Sequence, residues 1–164
     1  MSREITLLDP ISYKGSRKHA VAAGAAATIK AGQLVLKALG NASVVAWDAS
    51  NTAKPVVGTD YIAGLATSDS TETAAAVGTV DIMFITPDMV FLANPDTAAT
   101  WDTQAEYDAL VGDRVLLSTS AARVQTILAA DGATYGLVIQ PLDIKKHPGK
   151  VAFSVRSDAM YLHA

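Results

Sequence analysis

The imidazole and thiol chemistry open to this chain is slight: three histidines, His19, His147 and His163, and no cysteine in 164 residues. No two histidines stand at the spacing that lets one strand or helix aim both at a metal ion. The missing thiols exclude a disulfide framework, a Cys-ligated zinc or iron–sulfur site and a cysteine nucleophile, and they leave the redox compartment open. A Ser-His-Asp triad is defined by geometry, yet the chain lacks the Gly-x-Ser-x-Gly elbow that would present the serine. His147-Pro148-Gly149-Lys150 has the lysine of a phosphate-cradling loop but not its first glycine, its hydroxyl residue or its helix. The carboxylate pairs Asp69/Glu72 and Glu106/Asp108 fall in a loop and on a helix face, places where carboxylates are ordinarily solvated. The expectation is a protein without catalytic residues, metal or cofactor.

Aromatic stacking is the other chemistry to weigh. Trp47, Tyr61, Phe84, Phe91, Tyr135 and Phe153 fall inside or beside short β-prone runs, where packing is the ordinary role. Trp101 differs, because it stands between a polar loop and a helix, a place suited to a helix staple or to an interface anchor. Charged residues are 18% of the chain and the net charge is −3, so no electrostatic footprint for nucleic acid or anionic lipid is present. No run reaches the ~18 apolar residues of a membrane span, and Met1–Thr6 has no apolar signal core. A soluble protein made in the cytoplasm is expected, with partners among other proteins.

The elements that would position these residues read as mainly β: a compact β-barrel or sandwich with one short helix and an extended N-terminal arm. Residues 1–20 form that arm, since Asp9-Pro10 and Gly15-Ser16 break regular structure. Ile5, Leu7, Leu8, Ile11 and Tyr13 are its apolar anchors, and Arg3, Lys14, Arg17 and Lys18 its cations for carboxylates on a neighbouring subunit. Residues 21–164 form one β-rich domain, with Ala22–Ala27 either a helical turn or the neck of the arm. Strands are expected at 34–39, with 43–47 as its hairpin partner, and at 61–66, where Gly64 signals a bulge or a close backbone approach. Further strands are expected at 79–86, which Pro87-Asp88 turns back into 89–93, at 114–118 paired with 124–128, at 135–139, and at 151–156. The last is the candidate unpaired edge. Thr103 and Glu106 have capping-box spacing for a helix over 103–111 that Gly112 ends.

Three phrases, Lys30-Ala31-Gly32-Gln33-Leu34-Val35, Ile62-Ala63-Gly64-Leu65-Ala66 and Val77-Gly78-Thr79-Val80-Asp81-Ile82, resemble the small capsid decoration, or cement, proteins of tailed bacteriophages. The likeness covers about residues 28–92 and extends in texture to about residue 155. It implies a structural virion protein that binds the outer surface of an assembled capsid and bridges neighbouring capsid subunits. The implied partners are the major capsid protein and further copies of the chain, as dimer or trimer, and no catalytic residue is carried over. Neither the arm nor the helix belongs to that pattern. The alternatives are another phage virion β-protein, such as a tail-tube or head–tail joining subunit, a carbohydrate-binding module using Trp101, and an enzyme.

Overall fold

The computed structural model describes residues 5–7, 16–22, 28–37, 42–45, 53–59, 61–97, 101–120, 124–128 and 131–161. These hold ten strands: β1 (Thr6–Leu7), β2 (Ser16–Val21), β3 (Leu34–Lys37), β4 (Tyr61–Ala66), β5 (Gly78–Met83), β6 (Phe91–Pro95), β7 (Arg114–Thr119), β8 (Gln125–Leu128), β9 (Leu137–Ile139) and β10 (Val151–Val155). One α-helix, α1 (Gln104–Leu110), lies between β6 and β7. The strands divide between a closed barrel and a smaller antiparallel sheet.

The barrel runs β6-β10-β9-β7-β8, and β8 closes on β6 in parallel, with Asn94 opposite Thr126 and Pro95 opposite Ile127. Alternation along each strand fills it. Phe91 and Ala93, Val115 and Leu117, Ile127, Leu137 and Ile139, and Val151, Phe153 and Val155 are all buried in one cluster, the period of two that a strand requires when one face lines a core. Phe91 and Phe153 stand opposite each other in register, their rings 5.7 Å apart. The expected 114–118/124–128 hairpin is present as β7 and β8.

The second sheet has the order β2-β5-β4-β3. Leu34, Leu36, Ile62, Leu65 and Met83 join the barrel cluster, while Val35, Ala63, Ala66, Val80 and Ile82 build a separate small core with Val21, Ile29 and Val44. Opposite parities serve the two cores in β3 and β5, while in β4 the parity flips across Gly64. Val44 bridges to Val21 of β2 and Val45 bridges to Leu36 of β3, so one short segment ties both outer strands and curls the sheet around its small core. The expected strand over 43–47 is therefore reduced, in its described part, to these two bridges.

Gly64 shows why a glycine stands in β4. Its φ is 153°, and a Cβ there would run into the Met83 carbonyl oxygen and the Ile82 side chain of β5. The pairing register shifts between Val35 and Leu36, the irregularity that the glycine signalled.

Two joints hold sheet and barrel together. The buried Gln125 amide on β8 accepts from the Leu34 N–H at 2.8 Å and donates to the Leu34 carbonyl at 3.0 Å, behaving as one rung of a strand ladder between β8 and β3. After β10 a 3-10 turn over Ser157–Ala159 leads to Met160, which bridges Ile62, and the Tyr161 N–H donates to the Ile62 carbonyl.

Three expectations change. β5 and β6 do not form a hairpin, because the Pro87-Asp88 turn carries the chain from the small sheet into the barrel. β10 is not an edge, being paired with β6 on one side and β9 on the other. The described parts of residues 1–20 are extended as expected, but they pair within the chain: β1 adds to β6, and β2 runs through residue 21 along β5. Residues 23–27 of the alanine run lie outside the described residues.

Candidate interaction surface

Helix α1 forms where the capping-box spacing placed it. The Thr103 hydroxyl accepts from the Glu106 N–H at 3.3 Å, and the Glu106 carboxylate accepts from the Thr103 N–H at 3.0 Å, so two of the helix's otherwise unpaired donors are satisfied. One side chain anchors it. Tyr107 is fully buried, its hydroxyl donating to the Gln140 carbonyl at 2.9 Å and accepting from the Ala152 N–H at 2.8 Å. Burial pushes the Tyr107 phenol above its ordinary ionisation range, with Asp108 adding in the same direction against the opposing Ala152 hydrogen bond. Trp101 packs beside it at 5.9 Å between rings and is only 6% exposed. Its side chain therefore packs into the barrel cluster beside α1, the staple position of the two that the sequence offered.

The remaining sequence candidates separate. Ile5 is buried in the barrel cluster, a core residue rather than a reaching anchor, and Leu7 contributes backbone to β1. Arg3, Leu8, Ile11, Tyr13 and Lys14 lie outside the described residues. Arg17 and Lys18 are brought together on β2, the outer strand of the small sheet, and both are exposed. The Arg17 guanidinium lies 5.4 Å from the centre of the Phe84 ring, which preorients it. Trp101, in the barrel cluster, is not part of that strand.

The β4–β5 connection is a second surface feature, one to which sequence reading gave no role. It is fastened at its base: Asp69 takes the Lys30 ammonium at 2.7 Å and the Ala31 N–H at 3.0 Å, while Ser70 bonds Ile29. The Lys30 hydrogen bond, followed by that from Ala31, holds the Asp69 carboxyl below the usual carboxylate range. Its tip is fastened too, by Thr73 to Ala76 and Thr71 to Thr79 hydrogen bonds. It exposes Ala74, Ala75, Ala76 and Val77, the valine at 68%. The available signal was the uncharged Thr73–Val77 run between two strands.

An open groove of about 640 Å³ lies between α1 and the β9–β10 loop, lined by Gln104, Asp108, Pro141, Leu142, Asp143 and Lys145. The Gln104 amide there is spent on Asp108, the Leu142 carbonyl and the Ile144 N–H. Among the described residues no group of three His, Asp or Glu side chains is placed to hold a metal ion, and no helix is long and apolar enough to cross a membrane. No family of known proteins, no curated relative and no solved structure matches the chain.

Proposed function

We propose that this chain is a structural virion protein that binds the outer surface of an assembled phage capsid and stabilises it by bridging neighbouring capsid subunits. The observation that carries the reading is where its three resembling phrases fall. They become β3, β4 and β5 with their leading turns, three neighbouring strands of one sheet. Gly32 supplies the positive φ of the turn before β3, and Gly64 the close approach of β4 to β5. The phrases thus share one structural task rather than a composition.

Such a protein needs surface, not a cleft. Exposed Arg17 and Lys18 and the rigid, uncharged tip at Thr73–Val77 are surfaces of that kind. The mechanism is linkage: a ligand that binds the assembled shell and not the loose subunit stabilises the shell by about 2.7 kcal/mol per site at a hundred times its dissociation constant. Repetition over a lattice multiplies modest affinities. The carbohydrate-binding alternative loses its aromatic, because Trp101 is buried.

The test is heat stability of capsids stripped of outer proteins, followed by release of their DNA, with and without the purified chain. A release temperature that rises and saturates with added chain supports the reading. An unchanged release temperature at saturating chain overturns it.

A further inference from the structure

Charge is segregated along this chain. Residues 55–113 contain ten carboxylates and no lysine or arginine, whereas residues 10–47 contain Lys14, Arg17, Lys18, Lys30 and Lys37 and no carboxylate. The net charge of −3 conceals this. The fold brings part of each block to the surface on a different substructure. The small sheet exposes Arg17 and Lys18 on β2, and the barrel's helix α1, with the turn before it, exposes Asp102, Glu106 and Asp108.

Among the described residues none of these five charges is closed into an ion pair. Asp81 stands opposite Lys18 in register without closing one. Asp108 shares its groove with Lys145, which leaves Asp102, on the turn before the Thr103 N-cap, and Glu106, in the first turn of α1, as the exposed acidic pair at the N-terminal end of the helix. Around that pair the helix exposes Ala105 and Ala109, and Val111 just after it is 37% exposed, a small apolar margin. On β2 successive side chains point to opposite faces, so Arg17 and Lys18 flank the rim of the sheet. A helix laid along the rim meets both.

We propose that a second copy of this chain docks the outward face of its α1 on the β2 rim of the first, pairing Asp102 and Glu106 with Arg17 and Lys18. The inference rests on the self-associating part of the proposed function and not on capsid binding. A single exposed ion pair contributes only about 0–1 kcal/mol, so the four charges chiefly set register and speed encounter, while the Ala105–Ala109–Val111 margin excludes water. The contact is salt-sensitive for the same reason.

Sedimentation velocity on the purified full chain tests it, with no capsid present, so its failure and that of capsid binding remain separate results. Two charge-reversed chains are needed: Arg17→Glu with Lys18→Glu, and Asp102→Lys with Glu106→Lys. The latter keeps the half of the capping box in which the Thr103 hydroxyl accepts from the backbone N–H of residue 106. The unaltered chain is expected to associate at roughly 0.01 M salt and dissociate toward roughly 1 M, as the screening length falls from about 30 Å to about 3 Å. Each reversed chain alone should associate about tenfold or more weakly. Mixed one to one they should associate again, because the acidic rim of one then meets the basic helix of the other. Unaltered cooperative urea transitions in both variants establish that they fold. A chain monomeric at low salt, or variants that associate as the parent does, or a mixture no more associated than its components, overturns the contact.

Discussion

Gln125→Leu removes a side chain that is hydrogen-bonded twice across the joint between barrel and small sheet. Leucine keeps the approximate volume, so the perturbation is chiefly the loss of two hydrogen bonds, at 2.8 and 3.0 Å, to Leu34, whose side chain is 1% exposed. Its N–H and carbonyl then stay buried without partners. A buried polar group left unsatisfied costs about 1–3 kcal/mol, so a destabilisation of about 2–6 kcal/mol is expected for the pair. That is a large share of the ~5–15 kcal/mol that holds a domain folded. Equilibrium urea unfolding reads it directly: with a slope of about 2 kcal/mol per molar, the midpoint should fall by about 1–3 M. Gln125→Ala should cost more, since it adds a cavity to the same two losses. A Gln125→Leu midpoint within about 0.3 M of the parent's would refute the claim that this rung couples the two substructures.

Other substitutions probe the same structure. Tyr107→Phe leaves the Ala152 N–H and the Gln140 carbonyl without their phenol partner and should cost about 1–3 kcal/mol in the same assay. Because the folded state raises the Tyr107 ionisation range, the unfolded chain loses that proton first. Stability therefore falls as pH rises above the ordinary tyrosine value, and the Phe variant should lack that component of the alkaline loss. Gly64→Ala puts a methyl group against the Met83 carbonyl at a φ of 153° and should cost more than about 2 kcal/mol, with a lowered melting temperature as the readout. Trp101→Ala should cost about 3–5 kcal/mol of stability as a core truncation, whereas a surface anchor would lose binding with its melting temperature intact.

Much of the architecture was legible because local signals and burial agree in it. The Thr103/Glu106 capping box acts within one turn, so sequence sufficed to place α1. Gly64 could be read as a close approach because few other roles suit a glycine inside a strand. The alternation of Val151–Val155 marked a strand, but not its neighbours: β9 and β6 both pair with it through partners fixed by closure of the barrel. Ile5 and Trp101 looked like reaching groups because each stands beside irregular chain. Their burial depends on β1 adding to β6 and on Tyr107 drawing α1 onto the barrel through Gln140 and Ala152, contacts remote in sequence. Of the surface, the exposure of Arg17 and Lys18 was readable from their charge, while the fastening of the β4–β5 base through Ser70 to Ile29 was not. The charge segregation was visible in the order of residues and hidden by the net count.

The most direct measurement of the central proposal is co-sedimentation of the purified chain with phage capsids stripped of their outer proteins. Binding that saturates at a fixed ratio to the major capsid protein, and is absent with unassembled capsid subunits, is the expected result. No binding at any ratio, with rings or tubes formed by the chain alone, would contradict it and move the chain to the tail or the head–tail joint.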